Sequence, residues 1–233
     1  LWALASLGWQ PGKQLMSVLT ARMISVRNDF GPQHIANTFW SFATLHVQPN
    51  KQLVSALTAQ ALLLHTDFKS QAIANTLWAF ATLRLHPDKK LMEVLTRALE
   101  LVYDFKLQHI ANSLWALASL GWQPGKQLMS VLTARMISVR NDFGPQHIAN
   151  TFWSFATLHV QPNKQLVSAL TAQALLLHTD FKSQAIANTL WAFATLRLHP
   201  DKKLMEVLTR ALELVYDFKL QHIANSLWAL ASL

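Results

Sequence analysis

The sequence predicts an all-α protein, an α-solenoid of stacked two-helix repeats forming a superhelix. Three observations carry this expectation. Residues Leu1–Ser113 recur without a change as Leu114–Ser226. Within each block, Trp2, Trp40, Trp78, Trp115, Trp153, Trp191 and Trp228 follow one another at 38, 38, 37, 38, 38 and 37 residues. Apolar residues recur at helical spacing, and no stretch alternates as a strand would. A helical pair this short cannot bury its apolar face alone, so neighbouring pairs must share one core.

The elements follow in order. The chain reads as a single array over residues 1–233, with repeats at 32–69, 70–106, 107–144, 145–182 and 183–219 and partial repeats at 1–31 and 220–233. In repeat 32–69, helix A is expected over about His34–Leu45, after a proline suited to a first helical position. Its apolar arc holds Ile35, Phe39, Trp40, Phe42, Ala43 and Leu45. The polar residues Gln33, Asn37, Thr38, Ser41 and Thr44 fall within about 140° of one another. Pro49 punctuates a short break, and Gly12, Asn50 and Asp88 hold the matching N-cap place in their repeats. Helix B is expected over about Lys51–His65. An Asp-Phe pair closes each repeat at 29–30, 67–68 and 104–105. The aspartate is expected to serve free N–H groups of the next helix, and the phenylalanine to plug the joint. LWALASL, at 1–7, 114–120 and 227–233, is the second half of a helix A, so the ends are expected to continue or to associate with another copy.

Composition narrows the function classes. With no cysteine, disulfides, thiolate metal sites and a cysteine nucleophile are excluded. No apolar run approaches the roughly 18 residues of a membrane-spanning helix, so no membrane role is expected. Twenty Lys and Arg against twelve Asp and Glu give a formal charge of +8, which favours acidic partners, nucleic acid first. The ten histidines form no HExxH motif and no metal-spaced cluster. Neither a nucleophile–base pair nor a Gly-rich phosphate loop stands out. No catalytic residue, metal or cofactor is expected, and the chain reads as a non-enzyme.

The variants IANTFWSFATL, IANTLWAFATL and IANSLWALASL resemble the core of the octotricopeptide repeat and of the related 37-residue heptatricopeptide repeat. The resemblance covers essentially the whole chain. It implies an RNA-binding helical-repeat protein of mitochondria or chloroplasts, acting in RNA processing, stability, translation or ribosome assembly, with any targeting segment outside these residues. The Pro-Pro-Pro-Glu-Trp motif of many octotricopeptide repeats is not found in these 233 residues, nor is a nuclease-like domain. Single-stranded RNA is therefore the leading partner, read at roughly one base per repeat.

Candidate base-reading residues lie on or beside the polar face of helix A. They are His34, Asn37, Thr38, Ser41, Asn75, Thr76, His109, Asn112, Ser113, His147, Asn150, Thr151, Ser154, Asn188, Thr189, His222 and Asn225. The asparagine never varies, which suits a hydrogen bond locking adjacent repeats better than a code. The positions of His34, Thr38 and Ser41 do vary, and with repeats in a cycle of three they predict a tandem three-base RNA target. Candidate phosphate contacts are Lys13, Arg22, Lys51, Lys89, Lys90, Arg97, Lys126, Arg135, Lys164, Lys202, Lys203 and Arg210, for which a solvated helix B face serves equally well. The helix A tryptophans are expected in the core, and Trp9 and Trp122 as hydrophobic plugs. Two rival readings stay open. One is a protein-binding scaffold, such as an organellar ribosome component, including end-to-end self-association. The other is an engineered array.

Overall fold

A computed structural model describes residues 1–101, 104–199, 201–214 and 218–233. Among them the regular elements are all helical. The A helices are α1 (Trp2–Ser6), α3 (Pro32–Thr44), α5 (Ser70–Thr82), α7 (Leu107–Ser119), α9 (Pro145–Thr157), α11 (Ser183–Thr195) and α13 (Leu220–Ser232). The B helices are α2 (Lys13–Ser25), α4 (Lys51–Leu63), α6 (Lys89–Leu101), α8 (Lys126–Ser138), α10 (Lys164–Leu176) and α12 (Lys202–Leu214). Helix A starts and ends earlier than the expected 34–45, because Pro32 opens it and Leu45 is already its C-cap. Helix B stops short of the expected His65, and the chain tightens into a 3-10 turn at His65–Asp67.

Two compact halves result. The first comprises Leu1–Ala116 with Pro124–Leu128, the second Leu117–Gln123 with Met129–Leu233. In the first half α3 packs on α5 and α1 on α3, while α4 lies against α2 and α6. In the second, α11 packs on both α9 and α13, and α10 lies against α12. Each half is thus a solenoid layer of A helices backed by B helices.

Fully buried Ile35, Phe39, Phe42, Leu53, Leu57, Ile73, Leu77 and Phe80 form the core of the first half. Burying each such side chain contributes about 1.5–3 kcal/mol. Phe39 meets Phe80 across the repeat boundary, with ring centroids 4.9 Å apart, and Phe152 meets Phe193 at the same distance. Phe68, Phe105, Phe143 and Phe181 plug the joints, as the Asp-Phe pattern predicts.

Every complete turn between helix A and helix B has one geometry. The N–H of His46 donates to the Ala43 carbonyl at 3.1 Å, and that of Val47 to Phe42 at 3.0 Å. This is a Schellman cap, which satisfies carbonyls the helix end leaves free. It forces a left-handed residue: His46, Arg84, His159 and Arg197 at φ 51–53°, and Gly8 and Gly121 at φ 66°. Asn50 and Asp88 then cap helix B, each side-chain oxygen accepting an N–H at 2.7 Å. At Gly12 the cap has no side-chain acceptor.

Glutamines stitch consecutive repeats, a role that patterning does not reveal. Gln10 donates to the Leu45 carbonyl at 3.0 Å, Gln48 to Leu83 at 2.8 Å and Gln161 to Leu196 at 2.9 Å. Gln60 donates back to Asn28 and Phe30 in the preceding joint, both at 3.2 Å.

Candidate nucleic-acid interface

In a layered stack each interior helix A meets a neighbour on both sides and its own helix B behind. Only one narrow row can stay wet. In α3 the residues that are not buried, from Gln33 onward, are Gln33, His34, Asn37, Trp40 and Thr44. At 100° per residue, all of these but His34 fall within about 60°. The polar arc of about 140° is thus wider than the face that reaches solvent.

The structure therefore corrects the placement of several base-reading candidates. Thr38, Ser41, Thr76, Ser113, Thr151, Ser154 and Thr189 are buried. The Thr38 hydroxyl donates to the His34 carbonyl at 2.8 Å, Thr76 to Ala72 at 2.7 Å, Thr189 to Ala185 at 2.7 Å and Ser154 to Asn150 at 2.7 Å. These small residues face inward, where neighbouring helices approach; the hydroxyls of Thr38, Ser41, Thr76, Ser154 and Thr189 turn back onto their own backbone, while those of Ser113 and Thr151 are buried without a partner among the described residues.

The histidines cap helix A through one ring nitrogen. His34 Nδ1 accepts the Gly31 N–H at 3.2 Å, His147 accepts Gly144 at 3.3 Å and His222 accepts Lys219 at 3.3 Å. Each caps the start of its helix A, and each also meets a phenylalanine ring edge-on, at 6.0, 6.4 and 6.2 Å. Burial holds His147 below the usual imidazole range. Burial also lowers His109, with Asp104 opposing and Lys106 assisting. His109 Nδ1 accepts the Lys106 N–H at 3.4 Å and lies 2.9 Å from Ser70 Oγ. In repeat 70–106 alanine stands at the histidine position, and the helix start is served from across the joint. Asp104 accepts the Ser70 N–H at 3.4 Å, while Ser70 Oγ donates to the Asp104 carbonyl at 3.2 Å. This aspartate thus serves the preceding helix A, not the next one.

The asparagines behave otherwise. Asn37, Asn75, Asn112, Asn150, Asn188 and Asn225 are all half-buried on the wet row. Among the described residues their carboxamides make no hydrogen bond, so the expected lock between repeats is not formed. One turn earlier stands an exposed glutamine, equally unvarying: Gln33, Gln71, Gln108, Gln146, Gln184 and Gln221. A cleft of about 220 Å³ between α3 and α5 is lined by Gln33, Asn37, Gln71 and Asn75, together with Asp67 and Lys69. Its counterpart between α9 and α11, about 290 Å³, has Gln146, Asn150, Gln184, Asn188, Asp180 and Lys182. Each cleft thus offers carboxamide donors and acceptors, one cation and one carboxylate.

The phosphate candidates are all exposed but lie on the B helices. Lys51 and Lys164 line a different groove, of about 410 and 470 Å³, between helix B and the following inter-helix loop. Lys89 and Lys202 pair with Glu93 and Glu206 at 3.4 and 3.7 Å. The lysines that do reach the carboxamide clefts are Lys69 and Lys182, which lie outside the B helices. Their signal was a lysine directly before helix A at 69, 106, 182 and 219, with glycine at 31 and 144.

Among the described residues no cluster of three or more His, Asp or Glu could hold a metal ion, and no helix is long and apolar enough to cross a membrane. A search of curated proteins finds no match to the chain. The family model described as RNA-editing substrate-binding complex 6 protein matches residues 1–125 and again 48–233, so that the two matches together span the whole chain. The chain belongs to the RNA-editing substrate-binding complex 6 protein family.

Proposed function

We propose that this chain binds single-stranded RNA along the wet row of its A helices. The observation that carries this reading is the row of unvarying carboxamides, open to solvent and unpaired among the described residues, with a lysine in the lining of the cleft. A carboxamide presents a donor and an acceptor side by side, which matches the edge of a base. The lysine neutralises phosphate, and the formal charge of +8 favours approach of a polyanion. The family description, with its RNA-editing substrate, agrees with this reading. The 37- and 38-residue period and the IANTLWAFATL core support the finer assignment to octotricopeptide- or heptatricopeptide-like repeats. A mitochondrial setting belongs to the same proposal, as does a role as binder and not as enzyme.

A scaffold role is the second reading. It is favoured by the groove on the helix B side, lined by Val54, Leu62 and Leu85 together with Lys51. Binding of a fluorescent single-stranded RNA, measured against salt, separates the two. Replacing Asn37, Asn75, Asn150 and Asn188 together by alanine is expected to weaken RNA binding at least tenfold with the helical circular dichroism unchanged. A variant that binds as tightly as the parent refutes the carboxamide reading.

A further inference from the structure

The tryptophans were expected in the core, yet the residues that fill it are phenylalanines and aliphatics. Trp40, Trp78, Trp115, Trp153 and Trp191 are instead half-buried on the wet row. This holds for Trp40, between α1 and α5, and for Trp191, between α9 and α13, so a missing neighbour is not the cause. Each follows its asparagine by three residues, about 4.5 Å further along the helix. None of these indole N–H groups makes a hydrogen bond among the described residues. The three residue types that never vary on the row are thus glutamine, asparagine and tryptophan.

We infer that these tryptophans are stacking platforms for the bases of a single strand, and that the row grips RNA with little regard to sequence. The inference rests on the RNA-binding reading above and deepens it. Every base has a π-face, so stacking on an indole tolerates any base. A carboxamide can present its donor and acceptor to the edge of each of the four bases. Neighbouring A helices repeat the same glutamine, asparagine and tryptophan at each step, and packed helices lie about 8–10 Å apart. One base per indole then leaves the strand extended. Of the positions that vary in the cycle of three, those of Thr38 and Ser41 are buried, and His34 is engaged through Nδ1 in its helix cap, with alanine at the matching Ala72. A three-base code thus has few carriers on the row.

The test uses the unaltered chain with four homopolymeric RNA 12-mers, a tandem three-base repeat, and an abasic strand of the same length. The homopolymers should bind within roughly tenfold of one another, and the abasic strand on the order of tenfold or more weaker. Trp78→Leu with Trp191→Leu should weaken RNA binding about fivefold or more while the slope of affinity against salt stays the same, since stacking releases no counterions. Trp78→Phe with Trp191→Phe should recover most of the loss, and Trp9→Leu, off the row, should change nothing. Equal binding of the abasic strand overturns the stacking inference and leaves the RNA-binding reading intact. Strong preference for one three-base repeat overturns the tolerance to sequence. Failure of every strand to bind overturns both readings.

Discussion

Replacing Arg84 by glycine removes the side chain from a residue held at φ 53°. A Cβ in that region costs roughly 1–2 kcal/mol, and glycine does not incur the cost. Against this, glycine loses more freedom on folding, about 0.5–1 kcal/mol. Arg84 makes no ion pair or hydrogen bond through its side chain among the described residues, so no contact is lost. The repeat itself supplies the precedent, since Gly121 holds the same place at φ 66°. We expect Arg84→Gly to stabilise the chain by about 0.5–1 kcal/mol. That is about 1–4 °C in Tm for a chain of this size. The reverse change, Gly121→Ala, meets no atom within 4 Å, so its cost is purely conformational, about 1 kcal/mol. Urea unfolding of both variants beside the parent measures the pair. If Arg84→Gly destabilises and Gly121→Ala does nothing, the left-handed cap is not what ends these helices.

Two further outcomes test the joints. Gln48→Ala should lower stability by about 1 kcal/mol, because the Leu83 carbonyl loses its cross-repeat donor, whereas Gln52→Ala, exposed on α4, should change it little in the same urea titration. His109 and His147 lie below the usual imidazole value of 6.5, chiefly through burial. Below pH 6.5 the unfolded chain gains protons at these sites that the folded chain does not, so their stabilising effect is present above that pH and fades as the pH falls. Tm should therefore drop between pH 7.5 and 5.5, and the drop should be smaller in His147→Ala. An unchanged slope in that variant would show that the cap does not depend on a neutral ring.

The fold was legible because it is periodic. The Trp spacing, Pro32, Asn50, Asp88 and the apolar arcs each mark one element, and each recurs. The wet face was less legible, since polar residue type does not tell which side a neighbour covers. Thr38 and Ser41 look like surface residues, but stacking on both sides of helix A encloses them. Trp40 looks like core for the same reason in reverse: it flanks the apolar arc on the side that no helix covers. Cross-repeat partners such as Gln48 with Leu83, or Ser70 with Asp104, join residues 34 or 35 apart, which helical periodicity cannot pair.

The central claim is that RNA lies on the Gln–Asn–Trp row of the A helices. Ultraviolet crosslinking of a bound single strand, with the adducts located by mass spectrometry, tests it most directly. The account predicts adducts in the peptides that carry Trp40, Trp78, Trp153 and Trp191. Adducts confined to the helix B lysines, such as Lys51 and Lys164, would contradict it.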